Sequence, residues 1–383
     1  MPPVDVVVIG AGIIGLSVAY YLLADASLRV LVVDQAPLPG TGSTARATGG
    51  IRHQFSSEAL IRLTLISVRE YRRLAEELHF DPEMDLVGYL FVTGDRARYH
   101  LLEESRLLQN RLGVPTEHLT AGEIGEHFPF VATGDLLGGT FCAADGSANP
   151  YPIVQGLVQA IRSRGGQLLL GHEVVGLHVD RGRVTGVRTA GESIACGAVV
   201  NAAGAAAREV GALAGVEIPV WPFRRQVAVL TAVDLGRPPI PVLVDFDSGW
   251  YLHRLRDGAI LLGGTDRDSR PGVETVSDEG TTEKQIEAGL HRVPALQAAK
   301  LTRTYVGLRP LTPDDHPILG PAPGVEGFYC ACGLGGHGFM HAPAVGMLVA
   351  ESVRGGRWSE FDPRDLSLGR FRDRVPSPEQ LRF

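Results

Sequence analysis

An apolar run, Asp5-Val-Val-Val-Ile9, passes directly into Gly10-Ala-Gly12-Ile-Ile-Gly15, and this junction limits the possible folds more than any other feature of the chain. A run of that length with no polar alternation reads as a central parallel strand covered on both faces. Leu16 to Leu23 continue as a helix, and Arg29-Val-Leu-Val-Val33 form a second strand ending in Asp34. Strand, three glycines, helix, strand and terminal acid in this register make a βαβ unit built to hold a dinucleotide. Gly10 permits the tight turn, Gly12 lets backbone approach a pyrophosphate, and Gly15 lets helix and strand pack closely. Amides at the helix start face phosphate oxygens. Asp34 is expected to accept from the adenosine ribose hydroxyls, with Ile14 and Gln35 counted among the contacts. This unit alone does not separate FAD from NAD.

The same stretch sets a trap, because Val6 to Ala24 are uncharged and apolar enough to suggest a membrane helix or signal peptide. Three glycines in its first half, the lack of a basic leader, and Asp5 and Asp25 at its ends favour a buried strand, turn and helix. No membrane span is expected. A net charge of −7 leaves no basic excess to replace phosphate counterions, which argues against a nucleic-acid partner. Cys142, Cys196, Cys330 and Cys332 lack a repeating metal-type spacing, and no metal is expected. Cys330 and Cys332 read better as small buried thiols in a strand than as a redox pair. Reducing surroundings fit this usage, so a cytoplasmic location is expected.

Three later segments decide between the dinucleotides. Gln35 to Gly50 is a long polar, glycine-rich stretch where a nicotinamide-binding domain would enter a compact third strand. It lays a loop along an extended ligand, with Ser43 and Thr44 placed for the diphosphate. Ala198-Val-Val-Asn-Ala-Ala203-Gly204 is another buried strand ending in small residues. Phe328 to Cys332 runs into Gly333-Leu-Gly335-Gly336-His337-Gly338, and a helix follows from Met340 to Val353. Its N-terminus favours the negative charge that develops on a reduced flavin.

These motifs together resemble the D-amino-acid oxidase-like superfamily of flavoproteins. The chain looks most like the sarcosine oxidase, glycine oxidase and L-proline dehydrogenase β-subunit branch. The resemblance spans nearly the whole chain. It rests on Gly10 to Gly15, Asp34, Gly42-Ser43-Thr44, Gly50-Ile51-Arg52, Asn201 to Gly204, Gly307-Leu-Arg309-Pro310 and Gly333 to Phe339. It implies an α/β fold: a Rossmann-type FAD-binding domain with an inserted α+β substrate domain containing a mostly antiparallel sheet. Residues 1–80, 141–215 and 310–383 are assigned to the first, and 81–140 and 216–309 to the second. Val87–Val92, Gln226–Leu230, Trp250–Leu252 and Ile260–Leu262 are the expected substrate-domain strands. Residues 173–200 read as a small β-meander, and the resemblance places Val174 or Val175 against the adenine. Gly50 and Ile51 join the expected cofactor contacts.

Oxidation beside an amine nitrogen needs the C–H held over the flavin and a fixed cation for the carboxylate, for which arginine's planar fork is suited. The resemblance marks Arg309 and Arg52 for this task, and Tyr251 as a tyrosine at the roof of the pocket. His337 is expected beside the flavin, bonded to the loop backbone; His53 and His316 are supporting residues. Asp314-Asp315-His316 reads as loop capping rather than a metal cluster.

The chain also departs from the pattern. Monomeric sarcosine oxidases carry a lysine on the strand matching Ala259 to Thr265, and here there is none; the only lysines are Lys284 and Lys300. A second lysine beside their flavin is replaced by about Met340, and their thiol attachment point falls near Gly307. These differences favour non-covalent FAD and a dehydrogenase that passes electrons to a quinone, another flavin or a partner subunit. The expected activity is oxidation of a small, secondary amino acid such as sarcosine or proline, in a chain able to oligomerise. The alternatives are a glycine or D-amino-acid oxidase and a non-catalytic FAD-binding assembly factor. A flavin monooxygenase is disfavoured because Gly-Leu-Gly-Gly-His-Gly stands where those chains carry Gly-Asp.

Overall fold

The computed structural model describes residues 2–236, 239–265, 269–358, 360, 363–373 and 377–382. Its first elements are β1 (Val6–Ile9), α1 (Ile13–Leu22) and β2 (Val30–Asp34). β1 lies inside a six-stranded sheet, flanked in parallel by β2 and by Ala198–Asn201. Phe328–Cys332 extends the sheet in parallel beyond Ala198–Asn201, Gln167–Leu170 closes the other edge, and Ile318–Pro321 adds an antiparallel border. Every apolar side chain of β1 is buried, as expected of a strand covered on both faces.

The membrane-like hydropathy of α1 has a packing cause. Nine of its ten residues are buried, enclosed by the sheet and by the helix Gly338–Val353. The two helices cross closely: a Cβ on Gly346 would stand 2.6 Å from the backbone of Ser17. Pro343 lies inside the second helix and cannot donate to the carbonyl of Phe339. That carbonyl accepts instead from the Tyr71 hydroxyl at 2.6 Å, so the proline leaves no orphaned acceptor. No helix among the described residues is long and apolar enough to cross a membrane.

A second sheet has eight strands in the order Leu301–Leu311, Trp221–Leu230, Ile260–Gly264, Trp250–Arg254, Val242–Asp245, Tyr89–Thr93, Gly138–Cys142 and Thr116–Thr120. All its pairs are antiparallel except Val242–Asp245 with Tyr89–Thr93. The strand containing Gln226 begins five residues earlier than its hydropathy predicts, at Trp221. It pairs there with Leu301–Leu311, whose Gly307 and Pro310 hide its extended character from a sequence reading. Pro310 is tolerated because that strand forms the sheet edge. Residues 174–195 form the three-stranded meander.

One buried ion pair ties the helix Glu279–Arg292 to this sheet. The 2% exposed Arg292 side chain donates to Asp245 at 2.9 Å and to Asp135 at 2.7 Å. Replacing Arg292 by methionine strands the buried Asp245 carboxylate and is expected to cost about 3–5 kcal/mol of stability. Chemical denaturation measures this; a loss under about 1 kcal/mol would show that Asp245 is satisfied without it.

Candidate active site

The turns that leave the carboxyl ends of β1, Ala198–Asn201 and Phe328–Cys332 converge on one cavity of about 940 Å³. In an open α/β sheet this is where the chain leaves room for a ligand. Gly10, with φ +110°, has no space for a side chain, since a Cβ would stand 2.4 Å from the Ala202 carbonyl. Gly15 lies off the cavity and serves packing: a Cβ there would meet the Gly10 carbonyl at 1.9 Å. Gly10, Gly12, Ile14, Asp34, Gln35, Ser43, Thr44 and Gly50 line the cavity, and Val174 and Val175 line it from the meander. Ala203, Gly204, Gly333, Gly335, Gly336, His337 and Gly338 complete the side formed by the later strands.

Several of these residues differ in detail from the sequence reading. Ile51 does not reach the cavity; its side chain is fully buried in the core cluster with Leu16, Phe55 and Val345. Its strand is only two residues long, too short for alternation to reveal which side faces the ligand. The hydroxyl of Thr44 accepts from the Ile13 amide at 3.0 Å, thereby capping the first turn of α1. Ser43 donates to the Leu308 carbonyl at 2.8 Å and pins the loop to the substrate-side sheet. Asp34 lines the cavity while accepting from the amides of Ala11 at 2.6 Å and Ala36 at 2.8 Å. Its carboxylate therefore fixes the glycine turn, and lone pairs remain for a ribose.

At the other end, Arg52 and Arg309 line the same cavity, together with Tyr89, Tyr251 and His253. Arg309 comes from the strand Leu301–Leu311, opposite Phe223, and lies along the glycine turn: a Cβ on Gly336 would stand 2.9 Å from its guanidinium carbon. Tyr251 is buried, and its ring covers Gly263 on the neighbouring strand, where a Cβ would fall 2.1 Å from the ring. Tyr89 reaches back to the cofactor loop in the same way, its hydroxyl 2.1 Å from where a Gly50 Cβ would stand. Sequence patterning marks neither Tyr89 nor His253 as a site residue, because each looks like an inward core position of a strand.

Arg52 is held firmly. It donates to the carbonyls of Gln54 and, at 3.0 Å, of Leu381, and its guanidinium lies 3.9 Å from the Phe55 ring centre. A further contact, 3.2 Å from Nε2 of His337, fixes a tautomer, because arginine can only donate. His337 Nε2 therefore accepts, and the ring proton sits on Nδ1. Burial pulls the Arg52 pKa down to about 10, which leaves it charged at neutral pH. Burial also lowers that of Arg309.

Burial holds three histidines neutral around this end. His253 is lowered to about 4, His341 to about 3, and His337 well below its ordinary value, with the Arg52 charge adding to burial for the last two. In the unfolded chain each titrates near 6.5. The folded state thus binds fewer protons, so stability is full above about pH 6.5 and is lost as pH falls toward 4. For three histidines this amounts to about 3 kcal/mol between pH 6.5 and 5.5. Thermal melts across that range check it, and a flat midpoint would mean that these rings are charged when folded.

The remaining polar clusters are structural. His53 Nδ1 lies 2.7 Å from Asp145, which also accepts from the His53 amide and from Gln54. Cys142 is near enough to complete a three-ligand group with these two, but the Asp145 carboxylate is already used in those bonds. Asp314 accepts from Arg370 at 2.8 Å and from the His316 amide, capping the turn. All four cysteines are buried and free.

The geometry fits an extended dinucleotide: glycine turns that exclude side chains, a helix N-terminus, an acid closing β2, and a cationic end. Comparison with known proteins agrees. The chain is 30% identical to an L-proline dehydrogenase from P. horikoshii, whose crystal structure superimposes with a TM-score of 0.90 over 97% of this chain and 98% of that one. Glycine oxidase from Geobacillus kaustophilus is 29% identical over 96% of this chain and 97% of its own length. Human mitochondrial sarcosine dehydrogenase is 30% identical over 96% of this chain, which spans 41% of that longer protein. A family model described as DAO, FAD dependent oxidoreductase, matches residues 5–352. The cofactor for which this cradle is built is FAD, and the chain belongs to the DAO family of FAD-dependent oxidoreductases.

Proposed function

We propose that this oxidoreductase oxidises a small, secondary amino acid of the sarcosine or proline kind and delivers the electrons to an acceptor other than oxygen. The observation that carries this reading is the pair of arginines, Arg52 fully buried and Arg309 half-buried, in one cavity continuous with the dinucleotide cradle. Two guanidinium charges in a low-dielectric pocket call for an anion, and a carboxylate matches the fork. FAD, when bound, supplies the two-electron acceptor. Arg309 anchors the substrate carboxylate, and Arg52 adds its field from a fixed position. Tyr251 and Tyr89 wall the amine side and exclude water. Neutral His337 and His253 add no further positive charge beside the two arginines. With FAD bound, the carbon beside nitrogen would lose a hydride to it as the nitrogen lone pair closes the C=N bond; the iminium would then give its N–H proton to water and leave as the imine, or be hydrolysed.

Residues 1–80, 141–215 and 310–383 serve the cofactor, and 81–140 with 216–309 the substrate. The FAD is held without a covalent link. The dehydrogenase preference rests on the absence of a lysine in Ile260–Gly264, where Gly263 lies beneath Tyr251. A quinone or a partner subunit would then accept the electrons, in a cytoplasmic and oligomeric enzyme. The likeness to glycine oxidase supports an oxidase as the second reading.

An anaerobic absorbance titration with sarcosine, L-proline, glycine and D-alanine, followed by air, tests this. Bleaching by sarcosine or proline with slow recovery is the expected result. Fast recovery replaces the dehydrogenase by an oxidase, and a yellow protein that none of them bleaches points to a rarer amine substrate or to the non-catalytic role.

A further inference from the structure

Residues 379–382 carry no recognisable motif, yet they are bound to the substrate end of the cavity at several points. The Glu379 carboxylate accepts from the amide and hydroxyl of Ser56, each at 2.9 Å, and from the Leu381 amide at 2.8 Å. The Gln380 amide donates to Ser56 at 2.9 Å, the Glu379 amide to the Asp314 carbonyl at 3.1 Å, and Arg382 pairs with Asp315 at 2.5 Å. Glu379 and Leu381 are each 1% exposed. The Leu381 side chain packs in one apolar cluster with Tyr89, Val242 and Tyr251, all of which line the cavity. Its carbonyl takes the Arg52 hydrogen bond. The second oxygen of Glu379 has no hydrogen-bond partner among the described residues, and its charge is the largest single favourable influence on Arg52.

A surface segment with no part in the site would not bury a carboxylate beside a buried arginine, since that costs desolvation at both charges. We infer that residues 379–382 brace the substrate pocket: they hold Arg52 and support Tyr89 and Tyr251, so that they set the size of carboxylate ligand the site accepts. Leu381 is thus a positioning residue, one layer behind the walls it supports. The inference rests on the reading of the cavity as a carboxylate site. Without Leu381 the two tyrosine rings gain room to retreat, and the pocket admits a bulkier ligand. Without the Glu379 charge, Arg52 is less neutralised and draws a small anion more strongly.

The test uses FAD-loaded protein and two non-reacting probes, sodium acetate and sodium benzoate, each titrated against the flavin absorbance spectrum. Leu381→Ala is expected to shift the ratio of the two dissociation constants toward benzoate by about tenfold, with FAD content unchanged. Leu381→Met, which restores the volume, should bring the ratio back to within about threefold of the parent. A ratio unchanged within about twofold in FAD-loaded Leu381→Ala overturns the brace. If that variant does not yield loaded protein, Glu379→Gln decides: acetate binding tighter by roughly threefold supports the inference, and unchanged binding overturns it. Neither titration needs turnover, so a parent protein that no amino acid bleaches would defeat the proposed reaction and leave this test standing. If neither probe perturbs the parent spectrum, the carboxylate site and the brace fall together.

Discussion

Arg309→Met is expected to leave the protein yellow and lower kcat/KM for its amino acid by about 10²–10³-fold, mostly through KM. Methionine fills similar space along Gly336, so packing in the turn that shelters the cofactor is largely kept. On the proposed reading, what disappears is a charge-assisted anchor for the substrate carboxylate, and losing such a contact typically costs about 2–5 kcal/mol. Arg52 cannot readily substitute, because its guanidinium is committed to the Gln54 and Leu381 carbonyls and to the Phe55 ring. Steady-state kinetics with parallel measurement of flavin content checks the result. Unchanged KM in a fully loaded variant would move the anchor to Arg52.

Asp34→Ala should act at the opposite end of the cavity and on a different observable. The carboxylate accepts from the Ala11 and Ala36 amides and lines the cavity, where the proposed second duty is to hold the ribose. Alanine removes both, so the glycine turn loosens as the ribose contact is lost. Hydrogen bonds to a charged group contribute about 1.5–3 kcal/mol each, which places the loss of FAD affinity at roughly 10²–10³-fold. The ratio of absorbance at the flavin and protein bands after gel filtration reads it directly. Full retention would mean that the turn is held by its strands alone and that the ribose is bound elsewhere.

These two ends differ in how much of them could be read from the chain. The cofactor end was legible because its chemistry depends on local sequence. Gly10, Gly12 and Gly15 sit within one turn, Asp34 closes the next strand, and Gly333 to Gly338 announce a turn where side chains cannot fit. Arg309 and Tyr251 were reached only through their motif context, and the pairing that aims them is non-local. Arg309 owes its direction to a strand whose Gly307 and Pro310 conceal it, and Tyr251 owes its ring position to an absent side chain on Gly263. Thr44 lines the cavity as its loop context suggests, but its second duty, capping α1, is invisible in the pattern because the Ile13 amide that it accepts from lies 31 residues away. Nothing in the pattern of residues 379–382 connects them to Arg52, because that link is made by a carbonyl and a buried leucine. Contacts of that kind depend on the assembled surface.

The order of strands in the first sheet has a consequence for how the protein is made. β1 is made long before its neighbour Ala198–Asn201, and Phe328–Cys332 must then dock beyond that strand. At typical synthesis rates of about 5–20 residues per second, the last of these arrives roughly 16–64 seconds after β1. Until Ala198–Asn201 follows, β1 has only β2 as a neighbouring strand, and through the whole interval the helix Gly338–Val353 that covers α1 has not yet been made. Over that interval the nascent chain therefore carries α1 without the helix that buries one of its sides. Production in cells should accordingly respond to chaperone supply and to slower growth temperatures more than the stability of the finished protein would indicate, and riboflavin supplied during expression can act only at the final stage, when the glycine turns first meet.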